Sequence, residues 1–142
     1  MMKIREKINS VRYLKDILEI VFAFIIAWIF YQGLALATGT QTPIVSVVSE
    51  SMEPVLHRGD LVFVIKPENL QVGNIVIYQK ENSQFTIIHR IIEKKEDGYI
   101  TKGDNNPAPD AGTIRPQQIS GKVIFAVPLL GYPRLALYAV GI

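Results

Sequence analysis

A turn-forming stretch at residues 49–60 carries the strongest chemical signal in this chain of 142 residues. Within it, Ser51 lies between an apolar segment and Pro54, a short distance after a long apolar run. A serine hydroxyl is a weak nucleophile until a neighbouring base removes its proton. A serine in a turn also commonly bonds only the nearby backbone, so the remaining sequence has to supply a base and an orienting acid.

Only two histidines could serve as that base, His57 and His89. His57 follows in the same loop, whereas His89 lies in a segment whose composition predicts a strand. Strand alternation places these side chains on one face: Phe85, Ile87, His89 and Ile91. A histidine among apolar neighbours needs a polar partner, as a core residue bonded to a carbonyl or as a general base. An imidazole ordinarily titrates at about pH 6.5, which suits proton transfer near neutrality.

Two carboxylates in residues 102–110 could orient such an imidazole, as in other sites with a hydroxyl nucleophile. Asp104 follows Gly103 in a predicted turn, where an aspartate often bonds its own backbone. Asp110 closes a Pro-rich loop, where it could also be a solvated surface charge. Spacing alone does not choose between them.

The order of these motifs resembles type I signal peptidase, over nearly the whole chain to about residue 131. The resemblance is carried by Ser49-x-Ser51-Met52-x-Pro54, Gly59-Asp60, His89-Arg90, Gly103-Asp104-Asn105-Asn106 and Asp110. A histidine at position 89 is similar to the archaeal and endoplasmic-reticulum kind, whereas the common bacterial kind has lysine there. Each motif is weak by itself, and the ordered set is specific.

The resemblance implies a role for each of five residues. Ser51 would be the nucleophile, His89 the general base and Asp110 the orienting carboxylate, with Asp104 as a supporting or alternative acid. The resemblance implies that the Ser49 hydroxyl would stabilise the oxyanion, and we expect the Ser51 backbone N–H to be a second donor. His57 would belong to the loop of the nucleophile without acting as the base.

The resemblance also implies a substrate and partners. The substrates would be exported preproteins with signal peptides, cut after small residues, and the other partners would be the lipid bilayer and accessory or secretion-machinery subunits. No cofactor and no nucleic acid is expected. The chain has no cysteine and two histidines, which excludes a disulfide framework and disfavours a metal site.

A membrane anchor is predicted to place this chemistry at a bilayer. From Ile20 to Ala37 the chain has no charged residue, and these 18 residues would rise about 27 Å as a helix, close to the hydrocarbon thickness of a bilayer. Ala35-Leu36-Ala37 resembles a signal-peptide cleavage site, but the apolar run exceeds the usual length of about 7–15 residues. A core helix is disfavoured because the run has no polar stripe.

Charge predicts the orientation of this anchor. Residues 1–16 hold five basic and two acidic side chains, although the whole chain has a net charge of only +2. Such a segment could be a solvated tail or a nucleic-acid arm, but basic residues beside an apolar span favour a cytoplasmic end. The expected domains are a basic cytoplasmic segment at 1–16, a transmembrane anchor at 17–38 and an extracytoplasmic catalytic domain at 40–142. The membrane would be the cell membrane, or that of the endoplasmic reticulum with a lumenal domain in a eukaryote.

Beyond residue 40 the sequence predicts a compact, mainly β domain. Short apolar and alternating segments separated by turn residues predict strands at Ile44–Val48, Leu61–Ile65, Asn74–Tyr78, Phe85–Ile92, Tyr99–Thr101 and Gly121–Ala126. The apolar stretch Val123–Ile142 contains two prolines and Arg134, and it could form a last strand and core coil or a lip at the membrane interface. Many relatives continue into a second membrane segment, which is not expected here.

Two other functions fit parts of this pattern. One is a self-cleaving regulator with a Ser-centred β fold, although such proteins usually have a DNA-binding domain and a lysine base. The other is a membrane-tethered, non-catalytic β module that binds exported chains.

Overall fold

The computed structural model describes residues 2–80, 83 and 85–133, with side chains in the N-terminal helix described from Arg12 onward. The chain divides into two compact units, Met1–Ala37 and Thr38–Ile142. The first unit is helical, and the second contains all the strands of the described residues.

Helix α1 runs from Met2 to Thr38 and therefore begins well before the apolar run. The polar residues ahead of that run include many good helix formers, which explains the longer helix. Gly39 follows with a φ of +66°, the left-handed conformation that commonly ends a helix. From Arg12 to Thr38 the helix is long and apolar enough to cross a membrane, by length and composition. A signal sequence near an N-terminus would satisfy the same criteria.

The described residues of the second unit form one antiparallel sheet of six strands, which confirms the mainly β prediction. The strands are β1 (Ile44–Ser46), β2 (Leu61–Ile65), β3 (Ile75–Gln79), β4 (Thr86–Lys94), β5 (Tyr99–Lys102) and β6 (Ile119–Val127). Their order in the sheet is β1-β2-β6-β3-β4-β5. The last strand in sequence thus lies between β2 and β3, while β3, β4 and β5 are neighbours.

Two groups of buried apolar side chains pack against this sheet. The site-side cluster contains Leu70, Val76, Tyr78, Ile91, Tyr99, Ile114 and Ile119. The turn-side cluster contains Val47, Met52, Leu56, Val62, Val64 and Ile77. Alternating residues of β3 enter both clusters, so this strand is covered on both faces.

Two strands differ in length from their predicted bounds by more than one residue, β1 being shorter and β6 longer than expected. β1 ends at Ser46 because the chain then turns towards residues 59–60, where Val47 N donates to Asp60 O and Gly59 N donates to Val47 O. β6 begins at Ile119 and includes Gly121, where a side chain would collide with Val64 of β2. The absence of a side chain at Gly121 therefore lets the two strands approach closely.

The predicted C-terminal apolar segment is only partly described. β6 accounts for its first residues, and Leu129, Leu130 and Tyr132 are exposed. Residues 134–142 lie outside the described part of the chain, so the choice between a core coil and an interfacial lip stays open.

Candidate active site

Ser51 lies in a compact turn that its neighbour anchors in the core. Met52 is only 1% exposed in the turn-side cluster, and its carbonyl accepts hydrogen bonds from Val55 N and Leu56 N, both at 3.0 Å. The peptide bond between Glu53 and Pro54 is cis. Burial of Met52 fixes the turn from below and leaves the Ser51 side chain at the surface of the domain.

Strand β4 brings His89 to this serine. His89 Nε2 lies 3.1 Å from Ser51 Oγ, although 38 residues separate them along the chain. His89 pairs with Val76 of β3 in the sheet, and its side chain is only 8% exposed. The strand therefore fixes the position of the imidazole ring, and the turn that holds Ser51 packs beside it at the surface of the domain.

Asp110 accepts a hydrogen bond from the other ring nitrogen. Its Oδ2 lies 2.6 Å from His89 Nδ1 and also accepts from the hydroxyls of Tyr78 at 2.8 Å and Thr101 at 2.7 Å. Burial raises the pKa of Asp110, but the hydrogen bonds from His89, Thr101 and Tyr78 outweigh it and hold the pKa below its ordinary value. Asp110 is therefore an ionised acceptor.

Because Asp110 is ionised, it determines which group donates in each hydrogen bond from Ser49 to Asp110. Because Asp110 can only accept, Nδ1 of His89 carries its hydrogen and Nε2 presents a lone pair. The Ser51 hydroxyl consequently donates to Nε2. Ser49 Oγ lies 3.1 Å from Ser51 Oγ, whose hydrogen is already engaged, so the Ser49 hydroxyl is the donor of that pair. This arrangement can pull a proton from Ser51 towards His89.

The loop at 103–110 also contacts the nucleophile turn directly. Asn105 N donates to Ser51 O at 2.9 Å, and its side-chain amide donates to Glu50 O at 3.2 Å. A Cβ at Gly103 would lie 2.6 Å from Ser51 O and 2.8 Å from His89 Nε2. Only glycine therefore lets this loop approach so closely.

Asp104, the second candidate acid, pairs with a different residue. Its two carboxylate oxygens accept from Arg90 Nε at 2.9 Å and from Nη2 at 2.7 Å, while Nη1 donates to Gly73 O at 2.8 Å. The hydrogen bonds and charge of Asp104 raise the pKa of Arg90. Of the two candidates, the structure places Asp110 at the imidazole and Asp104 at the guanidinium.

His57 lies in the nucleophile loop and pairs with a buried carboxylate there. Its backbone N–H donates to Asp60 Oδ2 at 2.9 Å, and its ring Nδ1 is 3.9 Å from the same oxygen. Asp60 is 4% exposed and organises this loop. Among the described residues, no cluster of three or more His, Cys, Asp or Glu side chains is arranged to hold a metal ion.

Four residues shape the site without a role assigned from the sequence: Tyr78 and Thr101, which sequence reasoning missed, and Gly103 and Arg90, which lie in the motifs that carry the resemblance. Two of them left a readable signal, because Tyr78 and Thr101 put hydroxyls at strand positions where an apolar side chain would pack equally well. The contacts of the other two depend on how the loop folds against β4. Spacing does not encode that arrangement.

Comparisons with known proteins show the family of the chain. A family model described as Peptidase S24-like matches residues 14–124, most of the chain. The curated relatives include the signal peptidase complex catalytic subunit SEC11 of Saccharomyces cerevisiae strains YJM789, RM11-1a and JAY291. Each is 37% identical over 133 residues, which cover 84% of this chain and 80% of the relative. This chain therefore belongs to the type I signal peptidase family.

Proposed function

We propose that this protein is a membrane-anchored serine endopeptidase that removes N-terminal signal peptides from exported preproteins, cutting after small residues. One observation carries the proposal: the hydrogen-bonded chain from Ser51 through His89 to Asp110, with links of 3.1 and 2.6 Å. A hydroxyl, an imidazole and a carboxylate linked in this order are the groups that serine hydrolases of unrelated folds use. Because this hydrogen-bonded chain occurs in a member of the signal peptidase family, it supports a hydrolytic function over binding alone.

The reaction begins with proton transfer from Ser51 to His89. As Ser51 Oγ attacks the scissile carbonyl, Nε2 of His89 takes the hydroxyl proton, and Asp110 stabilises the charged ring. His89 then donates that proton to the leaving amine, which releases the mature chain and leaves the signal peptide esterified to Ser51. A water activated by the same imidazole hydrolyses this ester.

Two groups beside the nucleophile would stabilise the tetrahedral intermediate. Within the described residues the Ser51 backbone N–H donates no hydrogen bond. The Ser49 hydroxyl points at Ser51 Oγ, the atom that becomes bonded to the substrate carbon. Rotation of this hydroxyl onto the oxyanion would add a second donor, a contribution that ordinarily amounts to about 10²–10³ in turnover.

The anchor would bring substrate and nucleophile together. We assign residues 1–16 to the cytoplasm, 17–38 to the membrane and 40–142 to the outer or lumenal side. The apolar core of a signal peptide occupies the hydrocarbon region of the bilayer, as α1 would. The cleavage site of the substrate would therefore emerge at the same membrane surface as the C-terminal end of α1. Ser51 follows the end of α1 by 13 residues.

Partner subunits belong to the same proposal. The SEC11 relatives are named as catalytic subunits of a signal peptidase complex. We infer that this chain also works beside accessory subunits or secretion machinery, in an endoplasmic-reticulum membrane if its source is eukaryotic. Purification in a mild detergent, followed by identification of the subunits that remain bound, tests whether the chain works in a complex.

The central experiment uses the full chain in proteoliposomes with a labelled precursor that carries a signal peptide. Wild-type protein should release the peptide in trans, and Ser51→Ala or His89→Ala should lower the rate by a factor on the order of 10⁴ or more. Ser83→Ala, in the connection between β3 and β4, is the matched serine control and should retain full activity.

Three results would contradict the proposal. Full activity in Ser51→Ala or His89→Ala would remove the assigned nucleophile or base. Cleavage of the protein's own chain alone would indicate a self-processing regulator. Precursor binding without release would indicate a non-catalytic module.

A further inference from the structure

Two buried hydroxyls converge on the acid of the proposed site. Tyr78 and Thr101 are both 0% exposed, and each hydroxyl lies within 2.8 Å of Asp110 Oδ2, the oxygen that also meets His89 Nδ1. The two hydroxyls are 3.1 Å from each other. One carboxylate oxygen is therefore surrounded by three donors.

These donors come from three adjacent strands. Tyr78 is on β3, His89 on β4 and Thr101 on β5, whereas Asp110 follows β5 in a loop outside the sheet. The backbone also contributes, because Asp110 N donates to Thr101 O at 2.8 Å. Three strands of the sheet thus hold Asp110 in place by hydrogen bonds, although Asp110 itself lies in a loop.

Packing alone does not account for the two hydroxyls. Tyr78 lies among valine, isoleucine and leucine side chains of the site-side cluster, where phenylalanine would fill the same volume. Burial of a hydroxyl costs free energy unless a partner compensates it. For Tyr78 and Thr101 that compensating partner is the carboxylate, which points to a role at the acid.

We infer that Tyr78 and Thr101 are positioning residues, which lock the Asp110 carboxylate in its ionised form and aim it at His89 Nδ1. The inference rests on the proposed function and deepens it. With the acid fixed, Nδ1 keeps its hydrogen and Nε2 keeps its lone pair towards Ser51. Neither hydroxyl touches the reacting atoms.

The electrostatics of the cluster agree with this geometry. Burial raises the pKa of Tyr78, so its hydroxyl stays protonated and remains a donor. Several titratable or charged side chains lie on the elements around Asp110: Tyr78 on β3, Lys80 directly after it, His89 and Arg90 on β4, Tyr99 and Lys102 on β5, and Asp104 in the loop. Among them Tyr78 and His89 hydrogen-bond the carboxylate, Lys80 donates to Ala111 O, and Arg90 pairs with Asp104.

The test compares Tyr78→Phe with Tyr99→Phe in the full chain. Tyr99 belongs to the same buried cluster, but its hydroxyl makes no hydrogen bond to Asp110. Loss of the Tyr78 donor should lower kcat/KM about tenfold. It should also move the acid limb, which follows the general base, upward by up to about one pH unit, because a carboxylate with fewer donors attracts the proton on the imidazole more strongly. Tyr99→Phe should leave the profile in place.

Thr101 offers an internal rescue. Thr101→Val keeps the shape and removes the hydroxyl, so it should shift the acid limb in the same direction as Tyr78→Phe. Thr101→Ser restores the hydroxyl and should restore the profile. A matching loss in Thr101→Ser and Thr101→Val would assign the residue to packing and overturn its role at the acid.

A double-mutant cycle shows whether the effect passes through the acid. In an Asp110→Asn background, Tyr78→Phe should have little further effect on kcat/KM, because the group through which it acts has been replaced. An undiminished effect of Tyr78→Phe in that background would overturn the inference.

A carbon-13 titration of labelled aspartate in detergent micelles gives a readout that does not require activity. The pKa of the Asp110 carboxyl should rise in Tyr78→Phe and stay unchanged in Tyr99→Phe. If wild-type protein cleaves no precursor, the proposed function fails and this titration still tests the hydroxyls. An unchanged titration of Asp110 in Tyr78→Phe would refute the inference even in an active enzyme.

Discussion

Gly103 has no room for a side chain, and this makes it a sensitive probe of the site. A Cβ there would press on the Ser51 carbonyl, the Asn106 amide and the His89 ring at once, at 2.6–2.8 Å. Gly103→Ala should therefore displace the ring or the turn and lower kcat/KM about 10²-fold, the usual effect of a misplacement of about 1 Å. Kinetics on a labelled precursor measures this.

Gly33→Ala is the matched control for that change. Gly33 lies in α1 with nothing within 4 Å of an added Cβ. The activity of Gly33→Ala should equal that of the wild type. Wild-type kinetics in Gly103→Ala would mean that the loop yields without moving His89 or Ser51.

Motif order was enough to identify the candidate nucleophile and base, but it was not enough to choose the acid. Ser51 and His89 lie in segments whose local patterns are strong, a turn and a strand. Asp104 and Asp110 share one loop, and their partners depend on how that loop folds back over β4 and β5. The choice of partner is a tertiary contact, which single-chain spacing does not encode.

The pair between Arg90 and Asp104 joins one strand of the sheet to two of its connections. Arg90 is on β4, Asp104 is in the loop after β5, and Gly73 O belongs to the turn before β3. Arg90→Lys keeps the charge but cannot make the same two-pronged contact. We expect a loss of about 1–2 kcal/mol in the free energy of unfolding, together with reduced activity through the loop.

Urea denaturation and precursor kinetics check this expectation, with Lys66→Gln as the control. Lys66 forms an exposed pair with Glu68, and pairs of that kind contribute little to stability. Equal stability and activity in wild type and Arg90→Lys would show that the pair does not support the loop.

The strands were more predictable than the contacts between them. All six lie within a few residues of the predicted bounds, because alternation and turn residues act locally. Local patterns do not reveal that β6 inserts between β2 and β3. The path of a strand within a sheet depends on long-range pairing, and here the missing side chain of Gly121 makes room for it.

Acid should weaken the whole fold partly through Asp110. Its pKa in the folded protein lies below the ordinary value of 3.8, so the unfolded chain binds the proton more tightly. The carboxylate therefore stabilises the fold above about pH 4, and this contribution disappears as the pH falls through the lowered pKa.

Denaturation of wild type and Asp110→Asn across a pH series measures that contribution. The difference between their free energies of unfolding should be constant near neutrality and should shrink below about pH 4. A difference that stays constant down to the acid transition would contradict the assigned direction.

The orientation of the whole chain can be mapped because it contains no native cysteine. Lys7→Cys places a reporter in the basic segment, and Glu96→Cys places one in the exposed turn between β4 and β5. On intact cells or sealed vesicles of known sidedness, a membrane-impermeant maleimide should label the second from the outer or lumenal side. It should label the first only from the cytoplasmic side, and the reverse pattern would refute the proposed topology.

The double coverage of β3 has a consequence for heat inactivation. Amides in a strand enclosed on both faces exchange with deuterium mainly when the molecule opens as a whole. Tyr78 belongs to that strand and contacts the acid, so its side of this contact is protected from local fraying. Warming should therefore abolish turnover and the β-sheet contribution to circular dichroism at one shared temperature.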